Sequence, residues 1–480
     1  MWTIFYYLSL ALVWAYQLAE PQNWPFIFVF CFKFVRAIIH QFAYTFLSRP
    51  CPIPANPTYR ASDATIIVPT VDPLNVDFAE CIRTTLEAGP GEMIVVTVGK
   101  GLLASLTQAM EKYRVCFPST KIRVCAIDEA NKRKQISAVI ASISTKITVL
   151  VDDHVFWPSR NFLTAIVAPF EDPSIGGVAT IKKVRRTAPG HFNFAAFWNM
   201  LGAIYLERHN FEIQSTNAID GGIFVISGRT CVYRTQIFQN ESFQHNFTEE
   251  MFFLGKYGPL NADDDNFITR EIVKAGWKIK VQNHPDARIV TTVGTYPKFL
   301  SQCLRWARTT WRSNPASMFT DDRSCWWRTP WTSWAVFVYT LFNFSLAIDS
   351  TLMFGLTRTT WYVDADSSTR MSMLVGLVLW ISAFKAQKLA AYFGDHPRDI
   401  GMFPLYILWA YYHSFIKLYS MFTFFDVVWG GRDLSKVSSN SKDATLAATT
   451  VTSSDRVQGM RGTPISDCPC GMDSDDDDEF

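Results

Sequence analysis

Four short β-branched runs, TIIVP (65–69), MIVVTV (93–98), RVCAI (123–127) and ITVLV (147–151), are separated by segments of helix length at 76–88, 102–113 and 134–144. This alternation constrains the chain more than any other feature. Apolar runs without polar alternation belong to strands buried on both faces, and strands joined through helices run parallel. The pattern therefore predicts an α/β domain whose parallel sheet is covered on both sides. Ligands of such sheets bind beyond the carboxyl ends of the strands. The fourth run leads directly into Asp152, Asp153 and His154.

The flanks have a different character. Residues 1–19 carry no charge and match the roughly 20 helical residues needed to cross a bilayer; with no basic stretch before them and no small-residue cleavage pattern after, they read as a span rather than a signal peptide. The next apolar segment, 24–47, places Lys33, Arg36 and His40 on one helical face. That spacing fits a second transmembrane helix and an amphipathic helix in the membrane plane equally well. Four prolines mark 48–62 as a linker, and the α/β domain is expected over 63–295. An interfacial helix over 296–320 mixes aromatics with Lys298, Arg305, Arg308 and Arg312, and apolar segments at 331–356, 371–393 and 402–429 are each long enough to span. Residues 430–480 are Ser/Thr-rich, end in DSDDDDEF and read as a disordered tail. A composition 49% hydrophobic and only 18% charged, with 16 Trp and 38 Phe, agrees with a bilayer as partner. A formal net charge of +2 leaves no basic excess for nucleic acid. The ten cysteines show neither zinc spacing nor a disulfide framework.

Two acidic patches carry the chemistry. A carboxylate pair at a strand end often serves only as a turn or helix cap. Here a second patch, Asp263, Asp264 and Asp265, precedes a helix containing Phe267, Ile268 and Ile272. The helix dipole favours acids there, but two patches in one α/β domain point to a division of labour: one set holds a divalent metal on a diphosphate and the other takes a proton. Further along, Gln302, Arg305 and Trp306 fall at i, i+3 and i+4 on one helical face, a set suited to a phosphate and a sugar ring. KKVRR (182–186) reads as an exposed, charged strand end.

Taken in order, PTVDP (69–73), VDDH (151–154), ISGRTCVYR (226–234), ADDDNFIT (262–269) and QCLRW (302–306) resemble the motifs of the processive family-2 membrane glycosyltransferases, which include hyaluronan, chitin and cellulose synthases. The similarity is greatest to fungal hyaluronan-synthase-like polysaccharide synthases, and WGGR (429–432) is similar to a short signature after that family's last span. The resemblance implies a GT-A-like nucleotide-sugar-binding domain flanked by transmembrane and interfacial helices. It also implies an inverting, Mn2+- or Mg2+-dependent enzyme that polymerises sugar from a nucleotide donor, a UDP-sugar, into an exported cell-surface or cell-wall polysaccharide. By this resemblance Asp265 is the general base, with Asp264 its acidic neighbour. Asp152 and His154 take the two acidic positions of the D-x-D metal motif, His154 being a departure in which Asp153 shares the work. Asp72, Asp152, Asp153, Lys134 and Arg305 contact the nucleotide sugar, and Ser227, Gly228, Gln302 and Trp306 the acceptor. The resemblance further implies a multi-pass plasma-membrane protein with its catalytic domain in the cytosol, acting on a growing polysaccharide. A non-processive enzyme acting on a lipid phosphate, or a non-enzymatic transporter, is the alternative.

Overall fold

The computed structural model describes residues 20–187 and 189–427. The expected first span at 1–19, the WGGR stretch and the acidic tail lie outside the described residues. The chain divides into two compact units, each assembled from separated stretches. Cys51–Ile181 and Ile226–Thr291 form an α/β unit, while the described residues of Met1–Pro50, with Lys182–Val225 and Thr292–Val427, form a helical one. Residues 182–225, expected inside the catalytic domain, thus group with the flanking helices.

The strands are β1 (Ala64–Pro69), β2 (Glu92–Val98), β3 (Lys121–Ile127), β4 (Ile147–Val151), β5 (Val155–Phe156), β6 (Ile175–Ala179), β7 (Ile181–Val184), β8 (Thr230–Arg234), β9 (Lys278–Val281) and β10 (Arg288–Thr291). Seven of them build one sheet in the order β3-β2-β1-β4-β8-β6-β9. The four runs found in the sequence are its parallel half, and β1, β2 and β4 are buried throughout. The expectation of an all-parallel sheet is corrected at β8, which runs antiparallel to both β4 and β6. That reversal follows from what precedes β8. The chain returns there from the long Phe194–Asp220 helix of the other unit rather than through a βα crossover, so nothing imposes the parallel sense. The core packs Ile66, Val68, Val95, Val149 and Val232 of the sheet against Phe78, Ile82 and Leu86 of the Val76–Glu87 helix. A small second sheet pairs β5 antiparallel with β10.

In the helical unit the charged face of 24–47 has a specific destination. Lys33 pairs with Asp349, which also receives Lys385 at 3.0 Å. Arg36 pairs with Glu212, whose carboxylate lies 3.4 Å from His40, and the Trp331 indole donates to His40 Nε2 at 3.0 Å. Headgroups are not needed to satisfy this face, because acids from distant helices meet it inside the protein. Pro21–Leu47 and Ser367–Gln387 are long and apolar enough to cross a membrane, and Pro330–Phe342 with Ser345–Thr357 would form a third span broken by an 84° bend. Phe403–Phe422 is also helical. The reading of KKVRR as an exposed strand end is overturned. Lys182 is buried with Nζ 3.0 Å from His209 Nδ1, Lys183 reaches Glu207 and Asp395, and Arg186 is held by Asp399 at 2.8 Å. Partners 24 to 213 residues away could not be read from local sequence.

Candidate active site

The winding of the large sheet reverses at β1. The chain moves outward to β2 and β3, then returns to β4 on the other side of β1. Such a switch point opens a crevice beyond the carboxyl ends of the two central strands. Thr70 and Asp72 leave β1 there, and Asp152, Asp153 and His154 leave β4. Because β8 is antiparallel, its first residue, Thr230, pairs with the last residue of β4, Val151. The Ser227–Gly228–Arg229 approach to β8 therefore reaches the same edge, where the Asp152 amide donates to the Arg229 carbonyl at 2.9 Å.

Neighbouring residues of the first patch have different partners. Asp153 is buried and accepts a hydrogen bond from Thr70 Oγ1 at 2.8 Å; its other oxygen lies 3.2 Å from His154 Nδ1. The Asp72 amide donates to the same Thr70 hydroxyl at 3.1 Å, and the exposed Asp72 carboxylate accepts from the Asn75 amide at 3.2 Å. His154 is fixed through its carbonyl, which accepts from Thr291 Oγ1 at the end of β10. Asp152 instead faces Lys132, whose Nζ stands 2.8 Å from Asp152 Oδ1 and 2.9 Å from Asp264 Oδ2. One ammonium thus joins the two acidic patches.

The second patch is built on the start of the Asp264–Lys274 helix. Asp263 sits in the left-handed region at φ 61°, and Asp264 and Asp265 occupy the first turn. Asp265 Oδ2 accepts from the Gly228 amide at 2.9 Å, and Oδ1 from the Asn266 amide nitrogen at 2.9 Å and its side chain at 3.1 Å. A Cβ at residue 228 would stand 3.2 Å from Lys132 Nζ and 3.4 Å from Asp265 Oδ2, so any side chain there meets the Lys132 ammonium first. Burial, and then the Asp264 charge beside it, push the Asp265 carboxyl above its ordinary range, although the Gly228 amide and Lys132 pull the other way. Burial would also raise Asp152, but Lys132, with His154 behind it, outweighs burial and holds that carboxyl low. The same pairing, against the opposing effect of burial, drives Lys132 well above its usual value. The two carboxylates are therefore shifted in opposite directions.

The Lys132–Ile140 helix starts two residues earlier than its apolar pattern indicates, with Asn131 as cap, and this brings Lys132 and Arg133 into play. Lys132 is the site residue that sequence reasoning missed. The available signal was three basic residues directly after an Asn of capping type, at a helix end whose dipole disfavours cations unless acids face them. Lys134, the residue singled out, pairs with Glu129 at 2.5 Å beside an open cavity of about 380 Å³ lined by Ile127, Asp128, Ser137, Ala138 and Thr248. Arg133 is fully buried and donates to the Phe247 and Ala262 carbonyls and to Glu250, tying the loop before Asp263 to this helix. Ser227 is buried beside Gly228. Gln302, Arg305 and Trp306 belong to the helical unit, on Lys298–Pro315. There Gln302 accepts from the Gly294 amide at 3.0 Å, Trp306 stacks on Tyr205 with centroids 4.7 Å apart, and the Arg305 guanidinium lies 5.9 Å from the Trp306 ring.

Among the described residues no group of three or more His, Cys, Asp or Glu side chains forms a ready metal cage. The first patch nevertheless suits a metal completed by diphosphate oxygens. Metal-binding histidines commonly donate their second ring nitrogen to a carboxylate, and the Asp153–His154 contact has that arrangement, with Asp152 alongside.

The mixed sheet with its acidic switch point is a GT-A-like α/β fold. Residues 63–309 match the family model described as glycosyltransferase like family 2. The chain is 40% identical to a type 2 glycosyltransferase of Zymoseptoria tritici over 85% of its length and 83% of the relative's. It is 34% identical to one of Pyricularia oryzae over 89% and 85% of the two chains. The chain belongs to glycosyltransferase family 2. Among solved structures it is similar in fold to a mannosyltransferase of Pyrobaculum calidifontis in complex with GDP-Man and Mn2+, with TM-score 0.51 and 15% identity over 84% of this chain and 99% of that one.

Proposed function

We propose that this glycosyltransferase is a metal-dependent, inverting polymerase that extends an exported polysaccharide from a UDP-sugar, at a plasma membrane it crosses several times, with its α/β unit in the cytosol. The observation that carries the reaction type is the meeting of both acidic patches on Lys132 at the sheet's switch point. Asp265 accepts the proton of the acceptor hydroxyl as that oxygen bonds to the anomeric carbon. The bond from that carbon to the diphosphate breaks, the nucleoside diphosphate leaves with the electron pair, and a single displacement inverts the centre. Its carboxylate is suited to this task because burial and Asp264 raise its basicity while the Gly228 amide fixes its direction. Asp152 and His154 would hold a divalent metal, which supplies charge to the departing diphosphate when bound. Asp153 orients His154, and Asp72 and Lys134 contact the nucleotide. Ser227 and Gly228 line the acceptor side. Arg305 binds the diphosphate, and Gln302 and Trp306 act on the acceptor. Polymerisation and export are supported by the Gln302–Arg305–Trp306 set together with helices long enough to span a bilayer.

The test is to supply purified protein with labelled nucleotide sugars and Mn2+ or Mg2+ and to size the product. Chains of many residues are expected from wild type, and none from Asp265→Asn with nucleotide binding retained. A single sugar added to a lipid phosphate would replace the polymerase reading with the non-processive one. Unchanged transfer by Asp265→Asn would remove that residue from its role.

A further inference from the structure

Lys132 holds an unusual position. It is the first residue of its helix, where the dipole is positive and an ammonium is disfavoured. Two carboxylates from different elements compensate it, at 2.8 and 2.9 Å, and Gly228 closes a third side without a side chain. One of those carboxylates, Asp152, is also the residue that with His154 would hold the metal. Its Oδ1 is engaged by the Lys132 ammonium at 2.8 Å. A divalent ion bound through Asp152 would stand within a few ångströms of the ammonium, and two like charges so close oppose each other. A diphosphate relieves this conflict by bringing negative oxygens that can receive the ammonium. Lysine suits such a transfer better than arginine, being a compact charge on a flexible stem. The side chain is one-fifth exposed and so has a route out of the pair.

Resting on the metal reading of Asp152 and His154, we propose that Lys132 is a built-in counter-ion that occupies Asp152 in the empty enzyme and is exchanged for the divalent metal only when a nucleoside diphosphate arrives to receive its ammonium. Metal and diphosphate then bind as a pair, and the metal alone binds poorly.

The experiment is Mn2+ binding to the full chain in detergent, by titration calorimetry and by loss of the free-ion paramagnetic resonance signal, with Mn2+ alone and with UDP or GDP present. Wild type and Lys132→Arg should bind Mn2+ weakly alone and more tightly with a nucleotide. Lys132→Met and Lys132→Gln should bind Mn2+ alone at least about tenfold more tightly than wild type, equivalent to about 1.4 kcal/mol, and should lose most of the nucleotide-dependent gain. Thermal unfolding checks that each variant is folded, and the polar Gln substitution serves if Met does not fold. If both charge-removing variants bind Mn2+ no more tightly while wild type still binds it with nucleotide, the exchange is wrong and the metal reading stands. If no protein binds Mn2+ even with nucleotide, the metal assignment fails and the exchange with it.

Discussion

Replacing Arg133 with Met tests whether the loop before Asp263 is held from beneath by one buried cation. The guanidinium has no exposure and makes three contacts, to the Phe247 carbonyl at 2.9 Å, the Ala262 carbonyl at 2.7 Å and Glu250 at 2.6 Å, while the Phe247 and Phe267 rings each lie 5.4 Å away. Methionine fills much of the volume but leaves both carbonyls without this donor. Glu250 keeps Arg270 as a partner, so its charge is not wholly abandoned. Removing one member of a buried pair generally costs about 3–5 kcal/mol, and the remaining partner places this case near about 3. For a unit of this size, each kcal/mol lowers the unfolding midpoint by about 2–4 °C, giving a fall of about 6–12 °C. The assay is thermal unfolding followed by tryptophan fluorescence, since Trp157 is buried in the α/β unit. Arg133→Met, Glu250→Gln and the double variant complete a cycle whose coupling should exceed about 1 kcal/mol. Because Arg133 anchors Ala262, just before Asp263, kcat should fall as well. A midpoint for Arg133→Met within about 2 °C of wild type, with kcat preserved, would refute this reasoning.

Four further outcomes are expected. The acid limb of kcat/KM should lie above the ordinary aspartate range, because Asp265 must be ionised and its carboxyl is raised by burial and then by Asp264; Asp264→Asn should move that limb to lower pH, and a limb that stays or rises would contradict the assignment. The same raised pKa means that ionised Asp265 destabilises the fold: its contribution is intact below the ordinary carboxylate value and is lost as pH rises through the raised one, so Asp265→Asn should unfold at a higher temperature than wild type at neutral pH. His154→Asp should raise activity with Mg2+ relative to Mn2+, because imidazole favours transition metals, which a Mn2+/Mg2+ activity ratio measures directly. Gly228→Ala should lower kcat by about tenfold or more while barely moving the unfolding midpoint, since its Cβ would stand 3.2 Å from the Lys132 ammonium and shift it, while the backbone there is not left-handed.

Much of the site was legible because strand-end acids and a helix-start acid cluster are local signals. Asp152, Asp153, His154, Asp264 and Asp265 were all singled out from the sequence, and in the structure Lys132 links Asp152 to Asp264 while Asp153 contacts His154. Lys132 was passed over in favour of Lys134 because the apolar periodicity of its helix begins later than the helix itself; the capping Asn131 sets the true start. Arg133 was invisible for another reason. A fully buried arginine looks like any surface arginine until Glu250 and two carbonyls, more than 100 residues away in sequence, are placed around it.

By itself the sequence determined four parallel strands, the acidic residues at their carboxyl ends and a charged face on the 24–47 helix, because alternation and helical spacing report burial residue by residue. Only the tertiary structure decided the direction of β8, which brings the Gly228 amide to Asp265, and the partners of Lys132, Arg36 and Lys33. Periodicity states that a side chain must be buried or satisfied. Which distant charge satisfies it is settled by chain topology, and no local pattern carries that information.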